Sequence, residues 1–148
     1  MEKVKNLLVA LDLSSIDNHL IEYSSFLAEK QLQNVNLDQL IGDELNDKIE
    51  SRFTAKANWE VLISEDSNTE SLIHYIANKY QINLVLVGNK TTKDGTGVVT
   101  SKLLRLLKCS ILTVPKTDEI NLDKVWVATD FSSHSRKSFF FVEELRNK

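Results

Sequence analysis

Cysteine, long apolar runs and positive charge are all scarce in this sequence. Its 148 residues include one cysteine, Cys109, so a disulfide within the chain and a cysteine-based metal cluster are both excluded. Cys109 stands in the apolar run Cys-Ser-Ile-Leu, and we expect it to be a buried small hydrophobe rather than a reactive thiol.

Membranes and nucleic acids are not expected as partners. The amino-terminal residues run directly into a strand pattern, and no stretch is apolar enough over its length for a signal peptide or a transmembrane helix. The formal net charge is −3 and no basic stripe is present, which argues against nucleic-acid binding. We therefore expect a cytoplasmic protein.

Strand and helix patterns alternate along the chain, which has enough apolar residues, 42%, to fill one core. Apolar runs predict strands at residues 7–11, 59–63, 84–87 and 111–114, and apolar residues at helical spacing lie between them. This alternation predicts an α/β fold with a doubly wound, mainly parallel sheet.

The region after the first helix is harder to interpret. Residues 32–36 are too polar for a convincing strand, and apolar residues then recur every fourth position, which predicts a helix through Leu37, Ile41, Leu45, Ile49 and Phe53. Further on, Ser67 and Glu70 have capping-box spacing and predict the start of the next helix.

An internal repeat links the two ends of the chain. Leu-Val-Ala-Leu-Asp-Leu-Ser-Ser at residues 8–15 reappears 118 positions later as Trp-Val-Ala-Thr-Asp-Phe-Ser-Ser. Residues 1–116 are therefore predicted to form one unit, and 117–148 the strand and helix that open a second. Trp126 would lie in that strand, in a core or an interface, and the Phe139, Phe140 and Phe141 run would form a packing face of the helix.

The chain resembles the universal stress protein family in several segments. The matching residues are Val-Ala-Leu-Asp-Leu-Ser at 9–14, Leu-Val-Leu-Val-Gly at 84–88, Gly-Thr-Gly at 95–97, Leu-Leu-Arg at 103–105 and Cys-Ser-Ile-Leu-Thr-Val-Pro at 109–115. Residues 124–133 resemble the opening of a second copy, as in tandem members. The resemblance implies a flavodoxin-like, Rossmann-like doubly wound sheet, here with an extra carboxyl-terminal strand–helix half-repeat.

The resemblance also implies an adenine-nucleotide site, which many members of the family build on the motif Gly-x2-Gly-x9-Gly-(Ser/Thr). Glycines let backbone N–H groups approach phosphates, and the following helix N-terminus adds positive potential. The candidate site residues in this chain are Asp12, Gly88, Gly95, Gly97 and Thr100. For Asp12, which ends the first strand, a helix-capping role fits the sequence as well as a ligand contact does.

The nucleotide motif is incomplete here. Thr91 stands where the second glycine belongs, and Val98 replaces the Ser or Thr that would bond a phosphate. Gly97 follows Gly88 after only nine positions, so the loop is shorter than the motif requires. We expect weak or absent ATP binding, no required cofactor, and an adenine nucleotide as the candidate ligand.

The predicted function is a non-enzymatic stress-response module that acts by binding. No nucleophile–base pair, no Gly-x4-Gly-Lys-(Ser/Thr) loop and no metal-ligand cluster is present, so no catalytic or metal residue is assigned. One alternative is an ATP-binding member of the family that hydrolyses ATP slowly. Another is a receiver-like signalling domain, although a receiver needs an acidic pair where Asp12 has only Leu11 and Leu13 beside it.

Two kinds of association are predicted. The last strand of the first unit, from Ile111 to Val114, is apolar on both faces and is expected at a sheet edge, where it would form a homodimer as related proteins do. The module would also bind a protein partner that the sequence does not identify. Residues 124–148 are expected to dock onto the fold, on their own chain or on a dimer partner.

Overall fold

The computed structural model describes residues 5–11, 15–31, 34–38, 42–56, 58–62, 68–89, 97–116 and 119–146. Within them, strands and helices follow one another in this order: β1 (Asn6–Ala10), α1 (Asp17–Gln31), β2 (Asn34–Asp38), α2 (Gly42–Arg52), β3 (Asn58–Leu62), α3 (Thr69–Lys79), β4 (Leu84–Asn89), α4 (Gly97–Leu106), β5 (Ser110–Pro115) and α5 (Ser133–Arg146). None of the described helices is both long enough and apolar enough to cross a bilayer.

The strands form one sheet in the order β3-β2-β1-β4-β5, and every pairing in it is parallel. The chain places β2 and β3 on one side of β1 and then returns to add β4 and β5 on the other side. The doubly wound, mainly parallel α/β sheet that the sequence predicts is confirmed, and its strand order is the Rossmann-like one.

Helices cover both faces of the sheet, so its central strands are buried on both sides. In β1, Leu7 and Val9 belong to the core that includes α1 and α2, whereas Leu8 belongs to the core that includes α3 and α4. All three side chains are fully buried. This two-sided burial explains why β1 is a continuous apolar run rather than an alternating pattern.

The expectation that residues 32–36 form no strand is wrong. β2 lies between β1 and β3 and pairs in parallel with both along its whole length. Its sequence, Asn-Val-Asn-Leu-Asp, has low strand propensity, but backbone bonding to two neighbouring strands outweighs that preference. Leu37, which the four-residue spacing assigned to a helix, therefore lies in β2, and α2 begins only at Gly42.

The start of α3 also differs from the prediction. Its cap is Asn68, whose Oδ1 accepts a hydrogen bond from the Ser71 N–H at 3.2 Å. The predicted capping box at Ser67 is therefore placed one residue too early, while Glu70 does lie in the first turn. An Asn side chain caps a helix as well as Ser does, so the sequence alone did not choose between them.

The carboxyl-terminal segment forms its predicted helix but not its predicted strand. Residues 119–130 contain no strand, and Trp126 is 96% exposed, so a core position for Trp126 is wrong, while its predicted interface position stays a prediction. α5 docks through Leu145, which joins the α1-side core, where Phe141 and Leu122 also pack. β2 already lies between β1 and β3, so the sheet has no interior position for another strand.

Candidate functional site

The candidate site lies at the carboxyl edge of β1 and β4. These strands are neighbours in the sheet, yet the chain leaves β1 towards β2 and leaves β4 in the opposite direction, towards β5. Such a reversal opens a crevice between the two connections, and ligands of doubly wound sheets bind there. α1 follows β1 and α4 follows β4, so both helices begin at this edge.

Three of the five predicted site residues fall within the described structure. Gly88 lies next to the end of β4, Gly97 opens α4, and Thr100 is half-buried in the first turn of α4. The topology therefore brings these three to the same edge of the sheet. Asp12 and Gly95 lie outside the described residues.

Gly88 is closely covered by the start of α1. A Cβ placed on Gly88 would be 2.9 Å from Ile16 Cγ2 and 3.1 Å from Ile16 Cδ1, closer than ordinary carbon contacts. The φ angle of Gly88 lies outside the left-handed region, so space rather than backbone conformation requires a glycine here. The structure thus gives Gly88 a packing role between β4 and α1, which the glycine motif alone did not indicate.

A buried carboxylate that the sequence analysis did not single out lies beside this contact. Asp17 opens α1 and is fully buried, and its Oδ2 lies 3.9 Å from Nζ of Lys48 in α2. The positive end of the α1 dipole and the Lys48 ammonium are the two favourable electrostatic neighbours of this carboxylate. The available sequence signal was an acidic residue two positions after the Ser-Ser pair, which marks a helix start but does not show burial.

A hydroxyl group fixes α2, and with it Lys48, against α1. Ser25 Oγ is buried in α1 and accepts hydrogen bonds from the backbone N–H groups of Thr54 at 2.9 Å and Ala55 at 3.0 Å, just after α2 ends. The Thr54 hydroxyl in turn donates to Glu29 Oε1 at 3.2 Å. These bonds satisfy backbone donors at the end of α2 and hold its position beside α1.

An ion pair joins the two helices on the other face of the sheet. Lys102 Nζ of α4 lies 3.0 Å from Oε1 of Glu70, in the first turn of α3. The pKa of Glu70 is lowered, chiefly by a hydrogen bond from its own backbone N–H and then by the bond from Lys102. Glu70 is therefore a carboxylate at neutral pH and is committed to this contact.

Asp130, the repeat counterpart of Asp12, caps a turn. Its Oδ1 accepts a hydrogen bond from the Ser132 N–H at 2.9 Å. The pKa of Asp130 is lowered to about 2, first by the Ser132 hydroxyl, then by that backbone N–H and by the Ser135 hydroxyl. Phe131 between them has a φ of 62°, which is unusual for a bulky residue. The Asp-x-Ser-Ser pattern thus forms a cap at α5.

No other reactive centre is found among the described residues. His19, His74 and His134 lie on three different helices, and no three His, Cys, Asp or Glu side chains of the described part of the chain group as metal ligands. Cys109 is half-buried, and this burial raises the pKa of its thiol, which disfavours the reactive thiolate.

Comparison with known proteins places this geometry in a known fold. No protein-family model matches the chain, and no curated protein matches its sequence. Among solved structures, it is similar to a universal stress protein crystallised in complex with cAMP, at a TM-score of 0.56 and 15% identity over 78% of this chain and 100% of that one. A hypothetical protein, PH0823, is similar at a TM-score of 0.53 and 15% identity, over 78% and 98% of the two chains.

At this level of identity the likeness shows the fold, and it is the universal stress protein fold that the sequence resemblance implied.

Proposed function

We propose that this protein is a non-enzymatic binding module of the universal stress protein type, which acts in a cytoplasmic stress response and carries a degenerate adenine-nucleotide site. The fold supplies the crevice in which such a ligand would lie. The observation that carries the proposal is the contact of Ile16 with Gly88, because it fills the space beside the first glycine of the motif.

A phosphate-binding glycine works by leaving its backbone open to the ligand. Here Ile16, itself only 6% exposed, packs its methyl groups over Gly88. Val98 adds no hydroxyl at the start of α4, and Thr91 replaces the second glycine. Each missing charge-assisted hydrogen bond costs about 1.5–3 kcal/mol, so two of them weaken nucleotide affinity by about a hundredfold or more.

The charges at this edge support binding rather than catalysis. Asp17 lies beside Lys48, and Glu70 is bonded to Lys102, so each of these carboxylates has a cationic neighbour. A general base needs a pKa near the working pH, whereas Glu70 is held below its usual range. The arrangement supports the proposal that the protein is not an enzyme.

Titration calorimetry with cAMP, and with ATP and magnesium, tests the proposal. We expect no saturable binding at low micromolar concentration of either nucleotide. ATP incubated with the protein should be hydrolysed no faster than in buffer alone. Hydrolysis that rises in proportion to protein concentration and survives further purification would overturn the non-enzymatic assignment.

Adenine-nucleotide binding is the second candidate function, and the similar structure in complex with cAMP favours it. Low-micromolar binding that Gly97→Val abolishes would support it and overturn the degenerate site. Ser133→Val is the matched control. Like Gly97→Val, it places a valine at the first position of a helix, but α5 does not begin at the carboxyl edge of the sheet. Equal loss in both variants would indicate unfolding rather than a lost contact.

We also propose that two copies associate along β5, the strand that contains Ile111 and Val114. In support, β5 ends the sheet and has β4 as its only neighbour among the described strands, so one side of its backbone is unpaired. Thr113 is exposed on this strand, and Thr113→Lys should lower the sedimentation coefficient because it abolishes the association along β5. A wild-type monomer at high micromolar concentration would contradict this interface.

A further inference from the structure

Residues 124–130, the connecting segment before α5, have the side-chain alternation of a strand. Val125 and Val127 are half-buried and, with Thr129, line a groove whose other wall includes Arg136 and Phe139 of α5. The intervening side chains are exposed and do not line the groove, although Asp130 also accepts a hydrogen bond from Ser132; they are Lys124, Trp126, Ala128 and Asp130. The segment thus has one face towards its own helix and one towards solvent.

The backbone of this segment has no strand partner. Within the described part of the chain, no N–H or C=O of residues 125–130 bonds to another backbone group. An unpaired segment with strand alternation presents a row of donors and acceptors to any strand that can align with it. The 96% exposed Trp126 lies at the middle of the uncovered face.

The exposed face is complementary to itself. Facing residues of an antiparallel pair point to the same side, so a two-fold pairing of identical segments is centred on a residue. Centred on Val127, the pairing sets Lys124 opposite Asp130 of the second copy, and Trp126 opposite Ala128. It therefore gives two pairs of opposite charge and two contacts of a large side chain with a small one.

The neighbouring registers lack this complementarity. Centred on Trp126, the pairing places two indoles against each other and Lys124 opposite Ala128. Centred on Ala128, it places Trp126 opposite Asp130 and Lys124 opposite Ser132. Of the three registers, only the one centred on Val127 places opposite charges across the strand pair, and it does so twice, so this register is preferred.

We propose that this surface is an interface between two copies of the chain, in which residues 124–130 pair antiparallel with the same residues of the second copy, centred on Val127. Both α5 helices then lie on one face of the two-stranded ribbon. The groove beside α5, about 490 Å³ in volume, accommodates the partner's Val127 side chain. Trp126 and its charged neighbours close the opposite face.

This interface is separate from the edge of β5. Pairing at both edges would link copies beyond the dimer, so each is tested by its own variant. Lys124→Asp places like charges opposite each other twice in the interface of residues 124–130 and leaves β5 unchanged. Thr113→Lys alters β5 and leaves residues 124–130 unchanged.

Sedimentation velocity with charge variants tests the pairing. Lys124→Asp and Asp130→Lys should each weaken self-association by about tenfold or more, because two attractive pairs become repulsive. Mixing the two variants should restore a dimer, since every facing pair in the mixed species is then of opposite charge. A wild-type monomer at all concentrations, or a dimer that only Thr113→Lys disrupts, would overturn the proposal.

Disulfide trapping tests the register without altering Asp130, whose carboxylate also caps the turn before α5. In a Cys109→Ser background, Val127→Cys should form an intermolecular disulfide under mild oxidation, because the two residues 127 face each other. Ala128→Cys is the matched control and should cross-link far less, since residue 128 faces Trp126. Cross-linking at 128 in preference to 127 would overturn the pairing about Val127.

Discussion

At the residue scale, the contact between Ile16 and Gly88 determines how much space a ligand would have at the carboxyl edge of β4. Gly88 is the residue that both the family motif and the structure single out, but for different reasons. The motif needs its backbone open to a phosphate, whereas the structure needs its missing Cβ so that α1 can approach β4. These two requirements predict different outcomes when the glycine is replaced.

Gly88→Ala should destabilise the protein by about 1–3 kcal/mol, because the added methyl group overpacks against Ile16. In an Ile16→Ala background the same change should cost close to nothing, since both close methyl groups are then gone. A double-mutant cycle of urea unfolding measures this coupling. If Gly88→Ala lowered the unfolding free energy equally in both backgrounds, Ile16 would not restrict the space beside Gly88.

Asp130 should titrate near pH 2 in the folded protein, measured by carboxyl NMR. Ser132→Ala should raise the midpoint towards the ordinary 3.8, because it removes the largest cause of the lowered pKa. Ser133→Ala is the matched control and should leave it unchanged. A lowered folded pKa means that the carboxylate stabilises the turn above the unfolded value, and that this contribution is lost as the pH falls towards 2.

At the scale of elements, local patterns located the helices better than the polar strand. β1, β4 and β5 are apolar because helices cover them, and their sequences predict them directly. β2 was missed because its strand state comes from backbone pairing with β1 and β3, which no local pattern reveals. The strand predicted around Trp126 failed for the converse reason, because a strand pattern needs a neighbouring strand to pair with.

Leu145 should account for most of the docking of α5. It is 6% exposed and belongs to the core that includes Val114 and Leu20. Leu145→Ala should therefore cost about 2–5 kcal/mol of unfolding free energy. Phe140→Ala is the control, because Phe140 is 43% exposed and should cost clearly less. Urea unfolding gives both values, and a larger cost for Phe140 would contradict this orientation of the helix.

At the scale of the whole molecule, the sequence predicted the architecture more fully than the site. Alternating strands and helices, together with the family resemblance, were enough for the doubly wound sheet and the edge position of β5. The site depends on side chains that only the tertiary fold brings together. Two contacts between separate elements define it: Asp17 lies beside Lys48, and Ile16 packs over Gly88. The residues of each contact are far apart in the sequence, and no spacing identifies them.

The integrity of the fold as a whole should depend on the segment after β5. Leu122, Phe141 and Leu145 cover the α1-side core to which Leu112 and Val114 of β5 belong. A chain that ends at Lys116 exposes this apolar surface, so we expect it to aggregate or to lose about 5 °C or more of its thermal midpoint.

Leu104→Ala in the full-length chain is the control, because it removes an apolar side chain that is 65% exposed and so does not uncover the core. Its thermal midpoint should stay close to that of the wild type in calorimetry. If the shortened chain instead remained in solution with an unchanged midpoint, the contacts of α5 would add nothing to the stability of the sheet. In that case residues 119–146 would be an appendage of the fold rather than a part of it.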